Sequence, residues 1–153
     1  MSNRPFSQAA ENNKAPILAV LREHCRQPGL LLEIGAGTGQ HAAWLSSQCP
    51  HLRWQASDVQ AHLAMIAERL GDTPGTPAPI ELDVAAPWPD LHPDYLFTAN
   101  TFHIMASDLV ARCIEQGSQR LQPGGLFMVY GPFNYQGQFT SDSNAAFDQH
   151  LRQ

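Results

Sequence analysis

No stretch of this sequence approaches the roughly 20 apolar residues that a membrane-spanning helix needs. Its amino end, Met1 to Gln8, carries Arg4 but no apolar core of signal-peptide length. The expected setting is the cytoplasm, with no membrane partner. Cysteine is scarce, and Cys25, Cys49 and Cys113 are widely spaced without a Cys-x-x-Cys pair. That argues against a disulfide framework or zinc knuckle and leaves reduced, buried thiols. Basic residues are few as well: nine Lys plus Arg against 14 Asp plus Glu give a formal net charge of -5. So small a cationic complement cannot neutralise many phosphates, and a nucleic-acid partner is not expected. The seven histidines form neither a His-x-x-x-His pattern nor a Glu-bearing metal signature, so no metal is assigned.

What is present is the composition of one soluble globule: 153 residues, 43% hydrophobic and 15% charged, without the charge excess of a disordered chain. Ile17, Leu18, Leu21 and Cys25 recur at helical spacing, with Pro16 suited to an early helical position and Pro28-Gly29 as the stop. Leu30 to Ile34 is a nearly continuous apolar run, the form of a strand covered on both faces, and it runs straight into glycines. The pattern then predicts a helix over 40–48, a strand from Leu52 to Ser57 ending at Asp58, and a helix with Leu63, Ile66, Ala67 and Leu70 on its inner side, closed by Gly71. A Pro- and Gly-rich loop over 72–79 follows. Further strands are expected over 80–84, 95–99 and 126–130, with a helix through Leu109, Cys113 and Leu121 and a last helix over 142–153. Strands alternating with helices imply a doubly wound, mostly parallel sheet with a Rossmann-like α/β fold, whose ligands lie beyond the carboxyl ends of the strands.

The chemistry therefore belongs just after each strand. In Glu33-Ile34-Gly35-Ala36-Gly37-Thr38-Gly39 the glycines permit positive φ and keep side chains from between backbone and ligand, so a cofactor can lie against the turn. A glycine-rich turn made for packing alone is the plainer alternative. A dinucleotide loop of the form G-x-G-x-x-G/A needs a small third residue, and counting from Gly35 that place is held by Gln40, which argues against NAD. Asp58 ends the second strand nineteen positions after Gly39, where a carboxylate can accept from both ribose hydroxyls or cap the next helix. Asp83 follows the third strand and either meets an adenine amino group or begins a turn, with the Val84 amide beside it.

Through residues 32–39 together with Asp58 and Asp83 the chain resembles the class I S-adenosylmethionine-dependent methyltransferases. More narrowly, Asn13-Lys14-Ala15-Pro16-Ile17-Leu18, Gly37-Thr38-Gly39-Gln40-His41-Ala42, Trp54-Gln55-Ala56-Ser57-Asp58, His103-Ile104, Tyr130-Gly131-Pro132-Phe133 and Ser143-Asn144 with Phe147-Asp148 are similar to a methyltransferase-like family described as a domain of unknown function. The resemblance covers the whole chain. It implies S-adenosylmethionine as cofactor, held by Glu33, Gly35, Ala36, Gly37, Gly39, Asp58, Asp83, Val84 and Asn100. Where the family has Ile-Ser-Pro-Trp after the strand-four histidine, this sequence has Ile104-Met105-Ala106-Ser107, and no counterpart of the family's later Met-Pro-Ala-Asn-Asn stretch occurs. The domain is accordingly expected to lack its last strands. In the methyltransferase strand order 3-2-1-4-5-7-6 that leaves the fifth strand as an apolar edge, for which either homodimer pairing or poor solubility is expected.

Methyl transfer from a sulfonium needs an aligned nucleophile and sometimes a base. Asn100 and His103, directly after the fourth strand, are the candidates to orient an acceptor and take its proton, although a histidine there can equally be structural. Tyr130, Phe133, Asn134 and Tyr135 can line an acceptor pocket or fill the core. The leading expectation is methyl transfer to a small-molecule or protein acceptor. A catalytically silent cofactor-binding protein is the alternative, and an NAD-linked oxidoreductase stands below both.

Overall fold

A sheet of parallel strands must be covered on both faces, and the strands of this chain are apolar on both. A computed structural model describes residues 6–99 and 105–131, and the backbone alone of 134–135, 138–139 and 146–149. The elements run α1 (Gln8–His24), β1 (Gly29–Ile34), α2 (Gln40–Gln48), β2 (Leu52–Asp58), a 3-10 turn (Gln60–His62), α3 (Leu63–Leu70), β3 (Ile80–Glu81), β4 (Tyr95–Ala99), α4 (Ser107–Arg120), β5 (Leu126–Tyr130), β6 (Asn134–Tyr135), β7 (Gln138–Phe139) and β8 (Ala146–Gln149). The main sheet has the order β3-β2-β1-β4-β5-β8, and β6 pairs with β7 apart from it. The first five strands of the main sheet are parallel, with β1 central between β2 and β4. No helix among the described residues is long and apolar enough to cross a membrane.

Alternation along each strand sorts the side chains into two cores. Leu31, Trp54, Phe97 and Met128 face α1 and α2 together with Ile17, Leu21 and Leu45. Leu32, Ile34, Leu96, Phe127 and Val129 face α4 with Cys113 and Leu121. Gly117 lets α4 approach closely, since a Cβ there would come within 2.8 Å of the Leu96 and Phe127 side chains. The three cysteines are unpaired and buried. Burial pushes the thiols of Cys25 and Cys113 up to about 12, which keeps them protonated and unreactive.

Three expectations are corrected. The opening helix begins at Gln8, well before Pro16, because Ser7 caps it through a hydrogen bond from the Ala10 N–H and Glu11 sits in its first turn. The third strand is two residues long rather than five, because Asp83 turns the chain: its carboxylate accepts from Ala85 N–H and its carbonyl from Ala86 N–H. The last helix expected over 142–153 is instead a strand over 146–149, antiparallel to β5 with Val129 opposite Phe147. An uncovered β5 would leave a row of backbone donors and acceptors unmet, and that demand overrides a local helical pattern. The edge expected on β5 thus lies on β8, and a second copy pairing through β5 would have to displace it.

Candidate functional site

At the carboxyl ends of β1, β2 and β4 lies a cavity of about 340 Å³, lined by Glu33, Gly35, Ala36, Gly37, Thr38, His41, Asp58, His62 and Ala99, with Ser7 and Ala10 from the amino-terminal segment. Clefts of about 300 to 1,000 Å³ are the size that small molecules occupy. Gly35, Gly37 and Gly39 all take positive φ, at 73°, 60° and 81°. Their reasons differ. A Cβ on Gly37 would meet nothing within 4 Å, so the space beside it is open, whereas one on Gly39 would press at 3.4 Å on the Ile66 backbone and the Arg69 side chain. Gly37 keeps the cavity wall bare, and Gly39 lets the start of α2 pack on α3.

The loop is tied from Ala36 to Gly39. Ala36 N–H donates to the Ser57 carbonyl at 2.9 Å and Gly39 N–H to the Ala36 carbonyl at 2.9 Å. The Arg69 guanidinium donates to the Thr38 carbonyl at 3.0 Å. Asp58, at the end of β2, receives Gly37 N–H on Oδ2 and Val59 N–H on Oδ1, both at 2.7 Å. His62, one turn on, places Nδ1 3.1 Å from Oδ1 of the same carboxylate. Asp58 thus joins the glycine loop to the turn after β2 and still lines the cavity.

Glu33 is the more unusual carboxyl. It lies on the α1 and α2 face of β1, is 2% exposed, and accepts from the Trp54 indole N–H at 3.0 Å. Burial pushes its pKa up to about 7 against the pull of the Trp54 hydrogen bond, and the nearby Asp58 charge adds to the rise. His41, also buried, places Nε2 3.2 Å from the Ala10 carbonyl and sets its ring edge-on to Phe97. Desolvation by burial holds its pKa below the ordinary histidine value, so it is neutral near pH 7. The described lining therefore carries two carboxyl groups, two histidines and no Lys or Arg.

Of the residues expected at the site, Glu33, Gly35, Ala36, Gly37 and Asp58 come together on the cavity, and Gly39 stands just behind them. Asp83 and Val84 do not line it. Asp83 is exposed and its carboxylate closes the turn after β3, while the Val84 carbonyl accepts from Arg112 and from the Trp88 indole. Asn100, His103 and Phe133 lie outside the described residues, as do the side chains of Asn134 and Tyr135. Tyr130 is 5% exposed within the α1-facing core. Besides Thr38 of the glycine loop, five lining residues were not assigned to the site from the sequence: Ser7, Ala10, His41, His62 and Ala99. His62 and Ala99 had usable signals, one standing four residues after Asp58 and the other ending β4; Ser7, Ala10 and His41 depend on how α1 docks.

The same architecture occurs in solved methyltransferases. The S-adenosylmethionine-dependent methyltransferase SibL, in its apo form, superposes with a TM-score of 0.70 at 20% identity, over 94% of this chain and 43% of that one. CalS10, an amino pentose methyltransferase from Micromonospora echinaspora with S-adenosylmethionine bound, gives a TM-score of 0.67 at 19% identity, over 92% of this chain and 62% of that one. Human N-acetylserotonin methyltransferase in complex with SAM gives 0.68 at 18% identity, over 86% and 37%. The chain thus spans less than two thirds of each of these structures, and the likeness is one of fold, the Rossmann-like methyltransferase sheet. A family model described as "Protein of unknown function (DUF938)" matches residues 4–153, and the chain belongs to that family.

Proposed function

We propose that this protein binds S-adenosylmethionine in the cavity above β1 and transfers its methyl group to a small-molecule or protein acceptor. The observation that carries the reading is the electrostatics of the lining. S-adenosylmethionine bears a sulfonium and an ammonium against a single carboxylate, a net charge of +1. A cavity with the carboxyls of Glu33 and Asp58, a neutral His41 and no Lys or Arg among its described lining suits that cation. NAD brings a pyrophosphate, whose two negative charges would face the same carboxyls. Charge thus disfavours the oxidoreductase independently of Gln40.

When bound, the cofactor supplies a methyl group on a positively charged sulfur, open to in-line attack. The protein's own residues have modest tasks. The backbone of Gly35 and Gly37 leaves room for close approach, and in this proposal Asp58 accepts from ribose hydroxyls while Glu33 faces the ammonium. Asn100 is proposed as a further contact that also orients the acceptor, with His103 taking its proton, while Asp83 and Val84 lie off the cavity wall and would meet only a part of the cofactor that reaches past it. The CalS10 and N-acetylserotonin enzymes are named for small-molecule substrates, which supports an acceptor of that class here.

Incubation with methyl-labelled S-adenosylmethionine and a panel of small amines, alcohols and thiols tests turnover. Labelled product above the enzyme-free rate supports transfer. Cofactor binding without product from any panel member favours the catalytically silent reading.

A further inference from the structure

α1 runs unbroken from Gln8 to His24 with Pro16 at its middle. Proline has no N–H, so Pro16 removes the hydrogen bond that would reach back to the Asn12 carbonyl, and its ring crowds that turn, at a typical cost of about 3 kcal/mol in a helix interior. The half after Pro16 is anchored in the core by Ile17, Leu18 and Leu21, while the half before it buries Ala10 alone. Polar contacts hold that first half as well: Lys14 Nζ lies 4.8 Å over the Trp44 ring near its end, and the Gln40 side chain secures its start. The Gln40 carboxamide pairs with the main chain of Ser7 in both directions: its oxygen accepts from Ser7 N–H, and its nitrogen donates to the Ser7 carbonyl at 3.3 Å. The same oxygen accepts from the Thr38 hydroxyl at 3.0 Å, which fixes the carboxamide on the glycine loop. His41 adds its contact to the Ala10 carbonyl. Ser7 and Ala10 are the two residues that this segment contributes to the cavity wall.

We propose that Gln40 is a positioning residue that latches a Pro16-hinged lid, the amino-terminal half of α1, over the cofactor cavity. The inference rests on the reading of that cavity given above. Because Gln40 opens α2 directly after Gly39, any ligand that orders the glycine loop also orders the carboxamide and, through it, Ser7. Occupancy of the cavity and closure of the lid are then linked. A glutamine at this position, too long for a dinucleotide loop, is explained by its reach to a segment 33 residues earlier.

The test is hydrogen exchange on the full chain, free and with S-adenosylhomocysteine, for the wild type, Gln40→Ala and Gln40→Glu, with dissociation constants from calorimetry. In the free protein, Gln40→Ala is expected to speed exchange over 7–15 and leave 17–24 as it was. In the wild type, ligand slows exchange over 7–15, and Gln40→Ala weakens binding by about tenfold, the order expected for two lost hydrogen bonds. Gln40→Glu, which keeps the acceptor and loses the donor, falls between. Unchanged exchange over 7–15 in the free variant, or a rise shared equally with 17–24, overturns the latch. Failure of the wild type to bind refutes the cofactor reading instead, and the free-protein contrast still decides whether Gln40 holds the segment.

Discussion

At the scale of single residues, Glu33 carries a conflict between stability and binding. Its raised pKa means that the folded protein holds a proton which the unfolded chain has released, over the interval from 4.5 to about 7. Stability owed to this group is therefore complete at low pH and lost as pH rises through 7, at up to about 1.4 kcal/mol per pH unit across the interval. Glu33→Gln keeps the shape and an acceptor for Trp54 but carries no charge. Denaturant melts at pH 5 and pH 8 should show the variant gaining on the wild type at the higher pH while binding S-adenosylmethionine more weakly. Equal pH profiles would mean that Glu33 is not buried as described. His41 acts with the opposite sign, because its lowered pKa makes acid destabilising below about 6.5.

The glycines divide in the same way. Gly37→Ala should cost about 1 kcal/mol for its left-handed φ, with most of its effect on ligand affinity, because its Cβ enters open space beside the cavity. Gly39→Ala adds pressure on α3 and should cost about 2 kcal/mol. Paired denaturation and calorimetry would check the contrast, which fails if the two variants lose stability equally. Both glycines, with Glu33 and Asp58, were legible in the sequence, since a glycine turn between an apolar strand and a helix has few other uses. His41 and Ser7 were not, because nothing local says that a residue 31 or 33 positions away will arrive beside them.

At the scale of elements, the strands from β1 to β5 were read well where buried on both faces, since a continuous apolar run can be little else there. β3 and β8 were misread for opposite reasons. Local turn chemistry at Asp83 ended β3 early, and the edge of β5 drew 146–149 into a sheet against their helical spacing. In α1 the cap at Ser7 outweighed Pro16 as a starting signal. Pro16→Ala would restore the missing hydrogen bond and is expected to stabilise the protein by about 2 kcal/mol, the helical gain exceeding the extra freedom of the unfolded chain. Thermal melts should rise, and exchange over 8–15 should slow; a lower melting temperature would show that Pro16 itself is needed for packing.

At the scale of the molecule, two carboxyl-bearing strand ends, a bare glycine turn and a docked amino-terminal segment enclose one cavity whose charge suits a cation. The most direct test is a thermal-shift titration with S-adenosylmethionine, S-adenosylhomocysteine and NAD. A ligand at about 100 times its dissociation constant adds roughly 2.7 kcal/mol, a shift of several degrees for a domain of this size. The two adenosyl compounds are expected to stabilise the protein and NAD to leave it unchanged. Stabilisation by NAD, or by none of the three, would refute binding of S-adenosylmethionine in this cavity.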